Sequence, residues 1–319
     1  MMKKLKIIKQ NHLKKRALLE LIGFGVLVWV CVSQRHVIVQ AVSDIRRGDV
    51  FYLGALLLFY WAMLPIAVFG YILLSTKKLS LAMTCLAQLS GAGPARIIPG
   101  GLGQISVGAR YLSKSGIKLD KAILIVVTNN LIGIFTNIIL LTIAMFVHPN
   151  ILERILNNLT GRYLLVFILV ILVFAMLIFL LSHARATKKI VKKVKFQWGS
   201  MLISLRKSPK KLVLLFLDAT AITLGHTFMI FLSAKALSIN ITIVDALIAL
   251  SAGIFIGGVI PTPGGLGAVE AGTMSALVVL GYSAPDATSI ALLFRTANYW
   301  QPLIPGMFSY LYLREKKLL

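Results

Sequence analysis

Apolar residues fill this chain in long blocks, and polar residues are confined to short stretches between them. Six blocks are long enough to cross roughly 30 Å of hydrocarbon as helices: residues 17–39, 50–74, 119–147, 163–181, 212–234 and 284–313. Two further blocks, 79–113 and 242–280, are as apolar but broken. The second holds two prolines and six glycines between Gly257 and Gly272. Neither residue type suits the interior of a spanning helix. In lipid a broken backbone persists only where protein or a water-filled cavity satisfies its amide groups. Each broken block therefore predicts a re-entrant hairpin of two half-helices, 79–98 with 101–113 and 242–259 with 263–280.

The two breaks repeat each other. Pro99-Gly100-Gly101-Leu102-Gly103 recurs as Pro263-Gly264-Gly265-Leu266-Gly267 at an offset of 164. One residue further out of step, Gly116 matches Gly281, Ala122 matches Ala287, Asn130 matches Arg295 and Gly133 matches Asn298. Residues 1–160 and 161–319 thus read as two copies of one unit, each with three spans and one hairpin. A hairpin returns to its own side, so each unit crosses the bilayer an odd number of times. The second unit must then enter upside down, as an inverted-topology repeat. The expected fold class is an all-α polytopic membrane protein.

Composition agrees with this class. The 319 residues are 58% hydrophobic and 14% charged, which leaves no room for a sizeable soluble domain. A formal charge of +24 would suggest nucleic acid in a soluble protein. Here 25 of the 34 Lys and Arg residues fall in segments placed on the cytoplasmic side by the topology, and 6 on the other. That is the positive-inside pattern, with both termini inside and nucleic acid excluded as a partner. The Lys-rich start reads as the flank of a retained first helix, since no small-residue cleavage site follows it. Residues 188–205 carry Ile190, Val194, Trp198, Met201 and Leu205 on one helical face, with Lys189, Lys192 and Lys193 away from it. This pattern predicts a basic helix lying on an anionic leaflet. Cys31 and Cys85 offer neither a disulfide framework nor metal-ligand spacing. No cofactor, metal or catalytic constellation is expected.

Candidate chemistry gathers at the broken segments. A half-helix starting at Pro263 would aim free amides into the membrane, and such an end attracts anions. Gly264, Gly265 and Gly267 allow close backbone approach, as Gly100, Gly101 and Gly103 do in the first hairpin. The same glycines also suffice merely to make the turns. Charges inside apolar blocks cost roughly 2.5–3.5 kcal/mol each at a helix centre, so each asks for a reason. Arg295 lies near mid-depth of the last span and Glu270 close to the second turn. Arg96 and Arg110 flank the first turn. Arg295 and Glu270 could form a structural pair, or could bind phosphate and a cationic or hydroxyl-rich group respectively. Gln104, Asn130, Asn137, Asp218, Asn298 and Tyr299 are expected along a polar path beside the hairpins. His226 reads as a satisfied buried histidine.

The block Val259 to Glu270, with Arg295 following 25 residues later, resembles the flippase-like membrane region of lysylphosphatidylglycerol synthases. The resemblance spans nearly the whole chain. Its matching positions are Pro263, Gly264, Gly265, Gly267, Glu270 and Arg295. In the first block, family members often carry an acidic residue where this chain has Gln104. The soluble aminoacyl-transferase domain of the full-length synthases has no counterpart here. The resemblance implies a translocase moving a phosphate-containing polar lipid between leaflets of a bacterial or archaeal cytoplasmic membrane. Such a lipid could be an aminoacyl-phospholipid, a glycolipid or a polyprenyl-linked lipid. Membrane lipids are the expected partners, with a lipid-synthesising enzyme and a second copy of the chain as candidates. Two other readings stand beside it: a secondary transporter of a small anionic solute, and an accessory subunit or transferase in lipid glycosylation.

Overall fold

The computed structural model describes residues 48–98, 102–148, 208–260 and 262–319, together with positions 43, 150 and 153. The expected spans at 17–39 and 163–181, the basic helix at 188–205, and the glycines Gly100 and Gly101 lie outside the described residues. Among the described residues the structure is helical throughout, without strands.

α1 spans Val50–Leu74 and starts where the Asp49 carboxylate accepts the Phe51 N–H at 2.8 Å. It runs through Pro65 to Ser75, whose extended backbone ends it. α2 (Leu81–Gly91) follows, then a 3-10 turn at Pro94–Ile97, then α3 (Leu102–Lys114). α4 covers Leu119–Val147 and α5 covers Pro209–Ala236. α6 (Ile243–Val259) opens with a capping box between Thr242 and Asp245, reinforced by the Tyr282 hydroxyl donating to Asp245 Oδ2 at 2.6 Å. A 3-10 turn at Pro263–Gly265 leads to α7 (Ala268–Val279). α8 (Ala284–Arg295), a π turn (Thr296–Trp300) and α9 (Leu303–Glu315) complete the chain. α1, α4 and α5 are each long and apolar enough to cross a membrane.

Several details differ from the sequence expectation. The first half-helix, expected over 79–98, ends at Gly91 and gives way to the 3-10 turn at Pro94–Ile97. The helix following the second turn begins at Ala268, not Pro263. Gly264, Gly265 and Gly267 all take positive φ (61°, 69° and 76°), a left-handed backbone that no α-helix accommodates. The final apolar stretch is not one regular helix, because a π turn interrupts it at Thr296–Trp300. Finally, α5 starts and ends a few residues outside 212–234, at a Pro-led first turn and at Ala236.

The two halves share their element order: long helix, two shorter helices joined through a 3-10 turn, then a further long helical stretch. α3 and α7 also end alike. Gly116 (φ 90°) and Gly281 (φ 95°) terminate them in the left-handed conformation. Past each glycine the next amide reaches back to a buried leucine carbonyl, Ile117 to Leu112 at 3.2 Å and Tyr282 to Leu277 at 3.1 Å. Each is a Schellman-type stop, and each bonded pair recurs at an offset of 165. α4 and α8 each begin three residues after these glycines.

Packing forms two main cores. One joins Leu53 and Leu56 of α1 to α5, α6, α7 and α8. The other joins Tyr71 and Leu74 of α1 to α2, α3, α4 and Leu313, and receives Leu215 from the start of α5. α1 and α5 lie along each other and each contributes to both cores. Small residues permit the tightest approaches. A Cβ on Gly93 would lie 2.7 Å from the Gly306 backbone, so α9 crosses the end of α2 backbone to backbone. α4 exposes Phe135, Ile138, Ile139 and Ile143, a face suited to lipid or an apolar neighbour. The two 3-10 turns, one from each half, touch.

Candidate headgroup site at the meeting of the two turns

The site begins with a proline. Pro302 has no N–H to donate to the carbonyl of Asn298 four residues earlier. At that point the helix widens into its π turn, closed by Gln301 N–H donating to the Thr296 carbonyl at 2.9 Å. π turns of this kind concentrate at functional sites. Arg96, from the 3-10 turn of the first half, occupies the space. Its Nη1 donates to the Tyr299 carbonyl at 2.6 Å and its Nη2 to the Asn298 carbonyl at 3.1 Å. A guanidinium is suited to this because its planar fork presents two donors side by side.

Arg295 closes the other side. Its Nε donates to Glu270 Oε1 at 2.8 Å, and its Nη2 donates to the Gly264 carbonyl at 3.1 Å. The left-handed Gly264 turns that carbonyl toward Arg295 at the end of α8. Both guanidinium carbons, Arg96 and Arg295, lie 4.4 Å from the centroid of the Tyr299 ring. The two cations are therefore held on one aromatic ring, within range of mutual repulsion. Tyr299 in turn touches the second turn, since a Cβ on Gly264 would lie 2.5 Å from its hydroxyl. Arg295 is 6% exposed.

The charge balance is two guanidiniums against one carboxylate. Nη1 of Arg295 and Nε of Arg96 have no hydrogen-bond partner among the described residues. Glu270 Oε2 is buried and also without a partner among them. The same holds for the Thr262 and Thr273 hydroxyls and for Gln301 Oε1. Such a site has donors to spare for an anion and one acceptor left for a donor group.

The sequence-predicted residues do not all share this site. Arg96, Gly264, Glu270, Arg295, Asn298 and Tyr299 come together here, with Pro263 and Gly265 in the turn. Gly267 caps the start of α7 with open space around it. Gly103 is buried against the Ala95 carbonyl, where a Cβ would collide with the backbone, so it serves packing of the first turn. Arg110 and Gln104 are exposed on α3 and make none of these contacts, and Asn130 is exposed on α4. Asn137 is buried on α4, its amide nitrogen unpartnered among the described residues. Asp218 lies on α5 against Gly70 of α1. The Nδ1–H of His226 donates to the Ile222 carbonyl at 2.9 Å, and the ring neighbours the Asn298 side chain. Sequence reasoning missed Gln301, whose Nε2 donates to the Leu57 carbonyl at 3.1 Å and ties α1 to the π turn. Pro302, following it directly, was the available signal.

The family model of the lysylphosphatidylglycerol synthase TM region matches residues 17–306, nearly the whole chain and all of this site. The chain belongs to that family. No curated protein matches its sequence. Membership in the lysylphosphatidylglycerol synthase membrane-region family identifies a membrane protein related to lipid modification and flipping. Within that frame, Arg96, Glu270, Arg295 and Tyr299 are the charged and aromatic groups that the fold brings to one point.

Proposed function

We propose that this protein is a lipid translocase that moves a phosphate-containing polar lipid between leaflets. The headgroup crosses at the Arg96–Tyr299–Arg295–Glu270 cluster while the acyl chains stay in lipid. Family membership supports the lipid class of substrate. The observation that carries the reading is the surplus of buried positive charge, with two guanidiniums from different halves on the Tyr299 ring and a single carboxylate beside them. A phosphodiester supplies the missing negative charge, and a hydroxyl or amine on the headgroup would meet Glu270 Oε2.

In this reading the two halves form an inverted repeat and each pair of short helices is a re-entrant hairpin. The matched glycine stops at 116 and 281, the shared element order and the contact between the 3-10 turns all support it. Rocking one half against the other would expose the cluster to each side in turn. The tie from Arg96 to the Asn298 and Tyr299 carbonyls is the contact such a motion must break.

Leaflet-resolved lipid assays in reconstituted vesicles test the proposal. The unmodified protein should equilibrate a labelled anionic phospholipid, and Arg295→Ala should slow this at least about tenfold, the loss of one charge-assisted contact. Equal rates for both proteins, or no transfer by the unmodified one, would refute it.

A further inference from the structure

A second polar point lies away from the headgroup cluster, where α1, α4 and α5 meet. Asp218 of α5 is a carboxylate only 7% exposed, in a helix apolar enough to cross a membrane. One oxygen, Oδ2, lies against Gly70 of α1. The other, Oδ1, is buried and has no partner among the described residues. Gly70 makes the room. A Cβ there would collide with Asn129 Oδ1 of α4 and would lie 2.9 Å from Asp218 Oδ2. Two side-chain oxygens, from two different helices, thus flank one glycine.

Nothing described neutralises this carboxylate. Arg295 of α8 is committed to Glu270, and Asp245 of α6 to Thr242 and Tyr282. His226, on the same helix as Asp218, bonds the Ile222 carbonyl. Tyr71 of α1, Lys121 of α4 and Lys211 of α5 make no bond to Asp218. A buried charge without a counter-charge is destabilising, and oxygens converging without a donor between them are the setting a cation relieves. A single carboxylate fits one positive charge. No group of three or more His, Cys, Asp or Glu residues that could hold a metal exists among the described residues, which argues against a divalent site.

We infer that Asp218, with Asn129 Oδ1 and the gap at Gly70, forms a site for a small monovalent cation, either Na⁺ or a proton. It is separate from the headgroup cluster and would give the protein a coupling ion. α5 contributes to both cores, so an ion at Asp218 acts on the helix that joins the two halves.

The test reads binding and needs no lipid transfer. Thermal unfolding of the purified full chain is followed in NaCl and in choline chloride, and separately from pH 5 to pH 8, for the unmodified protein and for Asp218→Asn. A midpoint about 3 °C or more higher in NaCl, lost in Asp218→Asn, identifies Na⁺. No response to NaCl, but a pH-dependent midpoint that Asp218→Asn flattens, identifies the proton. Responses unchanged in Asp218→Asn, or absent in the unmodified protein, overturn the proposal. Should Asp218→Asn not fold, Asn129→Ala serves: a response weakened about tenfold in cation concentration supports the site, and an unchanged one overturns it.

Discussion

Arg295 Nε donates to Glu270 Oε1 at 2.8 Å, joining the last turn of α8 to the first turn of α7 across a contact with little solvent access. The pair holds α7 to α8, the helix that follows it, and leaves one oxygen of Glu270 unused. A structural bond and a reserved acceptor therefore reside in one side chain. This makes the pair separable by experiment into a stability contribution and a transport contribution.

Removing either partner should strand the other in a buried setting. Glu270→Ala and Arg295→Ala are each expected to destabilise by about 3 kcal/mol, and the double variant by clearly less than their sum. A double-mutant cycle on chemical unfolding reads the coupling, expected at about 1–3 kcal/mol. Additive losses would mean that the pair contributes nothing as a pair.

The glycines should differ in tolerance by what a methyl group meets. Gly103→Ala drives Cβ into the Ala95 backbone, which cannot step aside, and should be the most damaging. Gly264→Ala combines a positive φ with the Tyr299 hydroxyl at 2.5 Å, and should cost about 2 kcal/mol or more. Gly133→Ala lies within α4 with nothing within 4 Å and should be neutral or stabilising by up to about 1 kcal/mol. Thermal unfolding of the three variants gives the order directly.

Arg96 and Lys are not interchangeable at this position. The guanidinium serves two carbonyls at once, at 2.6 and 3.1 Å, and a lysine ammonium cannot span both in a fixed plane. Arg96→Lys should loosen the contact between the 3-10 turn of the first half and the π turn. Hydrogen exchange around residues 296–300 should rise in Arg96→Lys and stay unchanged in Arg110→Lys, whose side chain is exposed on α3.

Pro302→Ala should restore the donor that the helix lacks. With an N–H at position 302, the Asn298 carbonyl can take its ordinary helical partner and competes with Arg96 for that bond. The variant is expected to be at least as stable as the unmodified protein and slower in lipid transfer. Equal stability with equal transfer would remove the π turn from the mechanism.

Much of this arrangement is legible in the residues. The limits of α1 and α4 follow from where uninterrupted apolar blocks meet Asp49, Ser75, Lys118 and His148. The pairing of Glu270 with Arg295 was one of two readings open in the sequence, since charges inside apolar blocks must be compensated, and the structure shows the pair. That Gly116 and Gly281 hold equivalent places follows from the repeat, although their part as helix stops comes from the structure alone. The π turn was not legible, since five residues cannot distinguish a slightly wider helix from an ordinary one by apolar spacing. Arg96 was expected as a phosphate ligand, yet two of its nitrogens serve carbonyls 202 and 203 residues away. Only the tertiary fold brings those carbonyls to it. Arg110 looked equivalent to Arg96 in sequence, but one helical arm later it faces outward.

The account rests on two halves that enter the membrane in opposite senses, and side-resolved cysteine labelling tests this most directly. In a background with Cys31 and Cys85 replaced by serine, Lys114→Cys and Ile243→Cys mark the open ends of the two proposed hairpins. A membrane-impermeant thiol reagent should reach position 114 from the cytoplasmic side and position 243 from the opposite side. Labelling of both from the same side would contradict the inverted arrangement and the site built on it.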